Sequence, residues 1–244
     1  MNASINTSSV DKAFALLEFL ASRGGPATLH DVTDAVKLAK PTAYRQLQSL
    51  HELGYVSRPA GSRSYLIGPR TARLACSDPQ VDLKSRAQSV LRRLYEEFNE
   101  TVNLGVLSGG QVLYLDYLET TQALRYIVTP GQSDPWYCTA LGRAAAAQLS
   151  DKALSRLISE TRLRPITAAT IRTRANLHRE VERVRAEGYA HEVEESVEGV
   201  CCLAVGLAPM GFPEAAISVA LPIKRLTSRR KAAILKTFST LITT

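Results

Sequence analysis

Side chains that can contact a polyanion recur between residues 40 and 63 of this 244-residue sequence. Arginine can donate two hydrogen bonds to guanine, glutamine can pair with adenine, and hydroxyl groups can hold phosphates. The chain has a formal net charge of +7, and Lys40–Arg73 alone contains six basic residues against one acid. We interpret the segment as a candidate DNA-contacting surface whose side chains are Lys40, Thr42, Tyr44, Arg45, Gln48, Ser49, Arg58 and Arg63.

A second group of reactive side chains lies between residues 191 and 202. His191 and Cys202 are the types that form a base and a nucleophile, and with Glu192 they are also metal-ligand types. Their spacing is not diagnostic of a metal site, and a thiol in an apolar strand usually acts as a small buried hydrophobic group. We predict no catalytic residue, no metal and no cofactor. The alternative is an enzyme or a metal-dependent sensor that uses these three residues.

The elements that must position the first group read as helices. Apolar residues at helical spacing predict a helix over Ser9–Ala21 that buries Val10, Ala13, Phe14, Leu17 and Leu20. Thr28 and Asp31 form a capping-box variant before a short helix at Leu29–Val36. Pro41 suits the first turn of a third helix that ends near Leu53, with Ala43, Leu47, Leu50 and Leu53 on its core face.

The period changes to two after this third helix. Residues 55–67 read as a β-hairpin with a glycine turn at Gly61, and Arg58 and Arg63 flank its tip. Two short helices, a polar-faced second helix and a basic hairpin are the layout of a winged helix-turn-helix. Arginines at the hairpin tip can reach phosphates or a minor groove.

The rest of the chain predicts an α+β sheet domain with helices set to one face. Glycine at Ser108–Gly110 favours a hairpin between the first two strands. The predicted strands are Val102–Leu107, Val112–Tyr117, Ala123–Val128, Val200–Leu207 and Ala215–Leu221, and the predicted helices are Leu83–Phe98, Thr139–Leu149, Lys152–Ser159, Thr173–Glu187 and Leu226–Leu241.

Composition excludes several other classes of protein. The longest apolar stretches are too short to span a bilayer, and the N-terminus does not resemble a signal peptide, so we expect a cytoplasmic protein with no membrane partner. No phosphate-binding glycine motif occurs. The four cysteines form no C-x-x-C pair, so we expect reduced thiols, mostly buried, at Cys76, Cys138, Cys201 and Cys202.

The sequence resembles the IclR family of bacterial regulators over nearly its whole length. The matching segments are SVDKAFALLEFLA, LAKPTAYRQLQSLHELGYV, YLIGPR, ETVNLGVLSGGQVLYLDYLE, TALGRA, GYAHEVEESVEGVCCLAV and AAISVALP. The resemblance implies a winged helix-turn-helix at 1–68, a linker helix at 69–82 and a GAF/PAS-like antiparallel-sheet domain at 83–244 for effector binding and oligomerisation. It also implies a dimer or tetramer that binds double-stranded DNA at a palindromic operator.

The resemblance further implies a pocket for a small organic effector. Family pocket positions match the backbone amides of Ala140 and Leu141 and the side chains of Glu192, Cys202, Ser218 and Ala220. Glu192 stands where the family has a shorter acid, and Ala220 stands where a hydroxyl residue is common, which removes one hydrogen bond. These departures argue against the two- or three-carbon acid that is the usual ligand of the family. Trp136 and Tyr137 either line a roomier pocket or pack at a surface or subunit contact.

The leading hypothesis is therefore a transcription regulator whose operator affinity is controlled by a small acid, carbonyl or aromatic effector. The alternatives are the enzyme or sensor above and a nonspecific architectural DNA binder. The sequence leaves open whether the regulator represses or activates, which effector and operator it recognises, and whether a dimer or tetramer forms.

Overall fold

A computed structural model describes residues 8–59, 61–75 and 79–242 of the chain. The chain divides into two compact units, Met1–Val81 and Asp82–Thr244. The predicted boundaries at 1–68, 69–82 and 83–244 stay a prediction. Cys76, one of the predicted reduced thiols, lies outside the described residues, and the thiols of Cys138, Cys201 and Cys202 are free.

The first unit combines helices with a small antiparallel sheet in the strand order β1-β3-β2. Its elements are α1 (Ser9–Arg23), β1 (Ala27–Thr28), α2 (Leu29–Val36), α3 (Lys40–Glu52), β2 (Val56–Ser57), β3 (Ser64–Ile67) and α4 (Arg70–Ala75).

Local chemistry explains where these helices begin and end. The Thr28 hydroxyl accepts from the Asp31 backbone N–H, and the Asp31 carboxylate accepts from the Thr28 backbone N–H, so the predicted capping box is confirmed. Ser8 and Asp11 form the same reciprocal cap on α1, and Gly24 ends that helix in the left-handed conformation.

The predicted core face of α1 is wrong in part. Leu16 and Leu20 are the buried residues, whereas Val10 is 61% exposed and Phe14 is 57% exposed. Apolar residues occur on most faces of this helix, so spacing alone did not identify the inward face. Leu53 was likewise expected in the core but caps the end of α3 and is 50% exposed.

The second unit is built on a six-stranded antiparallel sheet in the order β6-β5-β4-β9-β8-β7. Its strands are β4 (Thr101–Ser108), β5 (Gln111–Leu118), β6 (Ser133–Pro135), β7 (Ala190–Val193), β8 (Val200–Leu207) and β9 (Phe212–Pro222). Its helices are α5 (Pro79–Phe98), which begins just before the division, α6 (Ala140–Ala146), α7 (Asp151–Glu160), α8 (Arg174–Glu187) and α9 (Ser228–Ile242).

Helices cover both faces of this sheet, which corrects the prediction that they lie on one. One core joins α5 and α9 to strand residues such as Leu104, Leu203 and Val219. A separate core joins α6, α7 and α8 to residues such as Tyr114 and Ala204, whose side chains point the opposite way. We call these the α5/α9 face and the α6 face.

The predicted strand at Ala123–Val128 is also wrong. Those residues form no strand, and Leu124 is 69% exposed. The strand that pairs with β5 is instead β6, with Gln111 opposite Pro135 and Leu113 opposite Ser133. Backbone hydrogen bonds between Tyr114 and residues 131–132 extend that contact, so tertiary pairing and not local hydrophobicity selects the strand.

Ala190–Val193 forms strand β7 at one edge of the sheet, and Glu192 is fully buried within it. None of the helices in the described ranges is long and apolar enough to cross a membrane.

Candidate DNA-contacting surface and effector pocket

Helix α3 separates its core face cleanly from its polar face. Ala43, Leu47 and Leu50 are buried against the first unit. Because successive helix residues rotate by about 100°, Arg45 and Gln48 project away from that core. Arg45 is exposed, and the Gln48 side-chain amide donates to the Glu52 carboxylate at 3.4 Å.

The other predicted contact residues of α3 flank these two. Lys40, Tyr44 and Ser49 are exposed, and Thr42 is half-buried. Within the described ranges, no ion pair or side-chain hydrogen bond engages Lys40 or Arg45. The helix thus presents a polar surface whose cations are available to an external partner.

The hairpin that follows α3 carries the two remaining basic residues. Arg58 donates to the Ser62 carbonyl at 3.2 Å and lies 5.6 Å from the centre of the Tyr65 ring. Arg63 is exposed. All eight predicted DNA-contacting residues lie on α3 or on the β2–β3 hairpin.

Sequence reasoning missed two side chains that hold this surface together. His51 Nδ1 lies 3.0 Å from the Val56 carbonyl, which ties the end of α3 to β2. Arg70 donates to the Leu53 carbonyl at 2.8 Å and lies over the Tyr55 ring. The only signal in the sequence was their position next to the helix and the hairpin.

The predicted effector residues come together on the α6 face of the second unit. Strand register places Glu192 beside Cys202, Cys202 beside Ala220, and Ala220 beside Thr101, so these four form one row across the sheet. Ser218 and its neighbour Asn103 lie two residues further along the strands on the same face. Asn103 donates to the Ser218 hydroxyl at 3.4 Å.

Glu192 is the buried carboxyl group of this row. One oxygen accepts from the backbone N–H groups of Glu195 at 2.6 Å and Ser196 at 3.0 Å. The other oxygen, Oε2, accepts no hydrogen bond from a described nitrogen or oxygen. Burial raises the pKa of Glu192, and these backbone hydrogen bonds act against that rise.

Phenol, thiol and carboxyl groups surround the row. Burial raises the pKa of the Cys202 thiol well above its ordinary value, and the neighbouring Glu192 carboxyl adds to that effect. Burial, and to a smaller extent the charge of Asp134, raises the pKa of the Tyr126 phenol. The same two causes raise the pKa of the Cys138 thiol to about 12. Cys202 is half-buried, whereas its strand neighbours Cys201 and Leu203 are buried.

Helix α6 packs over this row. Ala140 and Leu141 form its buried first turn, and the Thr139 hydroxyl caps it by accepting from the Gly142 N–H at 3.1 Å. The Trp136 indole N–H donates to Thr161 at 2.8 Å. The Tyr137 hydroxyl donates to the Arg164 carbonyl at 2.8 Å, so the polar groups of both aromatic residues serve packing contacts.

A fully buried arginine that the predictions did not include fixes the turn beside Glu192. Arg143 makes two hydrogen bonds of 2.8 Å with the Glu195 carboxylate and a third, of 3.0 Å, with the His191 carbonyl. Thr170 donates to the Glu195 carbonyl at 2.7 Å. Arg143 and Thr170 therefore orient the backbone amides that bind Glu192.

The enzyme and metal alternatives gain no support from this geometry. Cys202 lies on the α6 face, whereas His191 points towards α9, with its Nδ1 3.3 Å from the Lys231 ammonium. The thiol and the imidazole therefore do not form a nucleophile and base pair. Within the described part of the chain, no three histidine, cysteine or acidic side chains are grouped so that they could hold a metal ion.

Comparison with known proteins follows the same division of the chain. The model of the IclR helix-turn-helix domain matches residues 9–60, and the model of the C-terminal domain of bacterial IclR transcriptional regulators matches residues 79–241. The chain is 34% identical to the regulator SauR of Cupriavidus necator over 88% of its own length and 86% of that protein.

Two solved structures show the shared fold. The Rhodococcus sp. RHA1 regulator RHA06195 is 26% identical, with a TM-score of 0.75 and 97% of each chain covered. An IclR homologue of Microbacterium hydrocarbonoxydans, solved with 4-hydroxybenzoate, is 20% identical with a TM-score of 0.77, covering 96% of this chain and 97% of that one. The present chain belongs to the IclR family of bacterial transcriptional regulators, which bind DNA through the helix-turn-helix and carry an effector-binding C-terminal domain.

Proposed function

We propose that this chain reads a palindromic operator through α3 and the β2–β3 hairpin and that a small effector in the second unit changes its operator affinity. The single observation that carries the DNA part is the exposed polar face of α3. Arg45 and Gln48 project opposite the buried residues Ala43 and Leu47, and the arginine has no partner among the residues described. Such side chains read guanine and adenine in the major groove.

The effector part of the proposal rests on the buried polar row of the α6 face. Glu192, Cys202 and Ser218 line it, Ala220 contributes a small side chain, and the first turn of α6 lies over it. Trp136, Ala140 and Leu141 complete the proposed site. A related structure was solved with 4-hydroxybenzoate, which supports a small organic molecule as the ligand.

We further propose that the chain acts in the cytoplasm, is not an enzyme and self-associates as a dimer or tetramer. A palindromic operator needs two copies of the reading helix. The exposed Val10 and Phe14, one turn apart on α1, supply an apolar surface for such a contact.

Arg45→Ala tests the proposed reading helix. We expect a loss of operator affinity of roughly fivefold to 150-fold, since one bidentate contact to a base contributes about 1–3 kcal/mol. The measurement is fluorescence anisotropy on DNA from upstream of the chain's own gene. Arg92→Ala removes the same charge from an exposed position on α5 and serves as the matched control. Equal affinity in both variants would show that α3 does not read the operator.

A further inference from the structure

Strand β8 has an open edge where its neighbour β7 is absent. β7 begins at Ala190, which lies opposite Ala204, so the residues of β8 after Ala204 have no strand beside them on that side. The Val200 carbonyl accepts from the Glu194 N–H on the β7 side at 2.8 Å. Because backbone groups alternate in direction along a strand, the N–H and C=O of Gly206 point to the same side. Neither has a partner there among the described residues.

A cavity of about 650 Å³ lies against this open edge, and Gly206 is part of its lining. Val184 lines it from the α6 face, and Val205, Leu235 and Phe238 line it from the α5/α9 face. Small-molecule sites in proteins typically have volumes of about 300–1,000 Å³ and mostly apolar walls. The lining includes no residue of the proposed effector pocket, so the two cavities are separate.

The charged side chains that line the cavity are already paired. The Arg185 guanidinium donates to the Ala147 carbonyl at 3.0 Å and to the Asp151 carboxylate at 2.7 Å. The Glu187 carboxylate accepts from the Arg183 guanidinium. A charged ligand would lose its hydration here without gaining a free charge of opposite sign among the described lining residues. The cavity therefore favours an uncharged ligand.

The side-chain amide of Gln148 closes the cavity beside Gly206. It donates to the carbonyls of Pro213 at 3.1 Å and Ala215 at 2.9 Å, and its oxygen accepts from the Ala208 N–H. A Cβ atom on Gly206 would lie 2.2–2.5 Å from this side chain, so the close approach requires glycine. Because the hydrogen bonds of Gln148 go to other residues, the backbone groups of Gly206 stay available to a ligand.

A primary amide or a lactam matches the two backbone groups of Gly206. Paired antiparallel strands exchange two hydrogen bonds between facing residues, so each residue offers a donor and an acceptor on one side. Primary amides and lactams carry an N–H and a C=O on the same edge and can make both bonds. A trans secondary amide carries them on opposite edges and can make only one. The apolar walls suit an apolar group attached to the amide.

We infer that the cavity at the open edge of β8 is a second small-molecule site, which binds an uncharged primary amide or lactam with an apolar body. The ligand N–H donates to the Gly206 carbonyl, and the ligand oxygen accepts from the Gly206 N–H. The apolar body packs among Val205, Leu235 and Phe238. Binding at this site does not depend on which ligand occupies the proposed effector pocket.

Titration calorimetry on the full chain with three uncharged probes tests the ligand class. The probes are 4-phenylbutanamide, N-methyl-4-phenylbutanamide and methyl 4-phenylbutanoate, which share one apolar body. We expect the primary amide to bind at least roughly fivefold more tightly than the other two, because each of those loses one hydrogen bond to Gly206. Equal affinity for the three probes, or no binding of the primary amide at roughly millimolar concentration, would overturn the inference.

Leu235→Glu tests the location of the site. The new carboxylate lies at a half-buried position among the apolar walls, so we expect binding of 4-phenylbutanamide to weaken at least roughly tenfold. Ala232→Glu adds the same charge at an exposed position of α9 outside the cavity and is the control. Wild-type affinity in a folded Leu235→Glu protein, or an equal loss in both variants, would contradict the assignment.

Hydrogen exchange on the wild-type chain gives a readout that needs no variant. Saturating 4-phenylbutanamide should slow exchange of the Gly206 N–H, followed by mass spectrometry of overlapping peptides. Unchanged exchange at Gly206 would overturn the inference. Slower exchange confined to the first turn of α6 would place the amide in the proposed effector pocket and would overturn it equally.

Discussion

His191 and Glu192 are consecutive in the chain but meet different environments across strand β7. Glu192 faces α6 and accepts backbone hydrogen bonds, whereas His191 faces α9 and the Lys231 ammonium. The sequence marked both as chemically capable residues, but only the alternation of side chains along a strand separates them.

The histidine yields a prediction about pH. Burial, followed by the charges of Lys231, Arg183 and Arg143, lowers the pKa of His191 to about 4. The unfolded chain, whose histidine titrates near 6.5, binds this proton at higher pH than the native state does. The contribution to stability is therefore present above about pH 6.5 and is lost as the pH falls towards 4.

We expect His191→Gln to flatten this part of the pH dependence. The decrease in the free energy of unfolding between about pH 7 and pH 4.5 should shrink by on the order of 2 kcal/mol, a figure reduced for the solvent exposure of the ring. Urea denaturation at the two pH values measures it. His178 is exposed on α8, so His178→Gln is the control. If the free energy of unfolding decreased equally with pH in both variants, this explanation of His191 would be wrong.

Elements with strong local signals were predicted well, and those chosen by tertiary pairing were not. Helix α2 has the predicted bounds because the Thr28 cap and the apolar spacing agree. The stretch Ala123–Val128 looked like a strand, yet β5 pairs with the polar Ser133–Pro135. The fold class and the order of the main elements therefore follow from the sequence, whereas the edge strands β6 and β7 depend on contacts that the sequence does not display.

The start of α6 depends on a close approach that only glycine permits. A Cβ atom on Gly142 would lie 2.4–2.8 Å from backbone atoms of Trp136. Alanine usually stabilises a helix by up to about 1 kcal/mol relative to glycine. At Gly142 the clash is with backbone atoms and cannot be relieved by a side-chain rotation, so alanine should destabilise the protein.

We predict that Gly142→Ala lowers the free energy of unfolding by about 2–3 kcal/mol. Chemical denaturation is the measurement. Gly25→Ala, where the nearest atom would lie 4.0 Å away, should leave stability nearly unchanged. A Gly142→Ala protein as stable as the wild type would show that the chain relaxes around the added methyl group.

At the scale of the whole molecule, the net charge of +7 does not by itself identify a binding partner, because the positions of the charged residues decide what they can contact. The basic residues of α3 and the hairpin are exposed in the first unit, and the buried polar row belongs to the second. A protein with two such sites is suited to linkage, in which each ligand changes the affinity of the other by the same factor.

The exposed apolar residues of α1 lead us to predict that the molecule self-associates through this helix. Phe14→Glu places a charge on the apolar surface formed with Val10, and we expect it to shift the protein towards monomers and to weaken operator binding. Light scattering after size exclusion measures the mass. Ser22→Glu, also exposed on α1, is the control. An unchanged oligomer in Phe14→Glu would exclude this surface as the contact.

Recognition of a specific operator distinguishes this chain, as proposed, from a protein that binds DNA of any sequence. The most direct measurement is the affinity of the full chain for DNA from upstream of its own gene against a scrambled duplex of equal length, at several salt concentrations. We predict a preference of at least about 10³-fold near physiological salt, with both affinities falling steeply as salt rises. Equal affinity for the two duplexes would contradict the account.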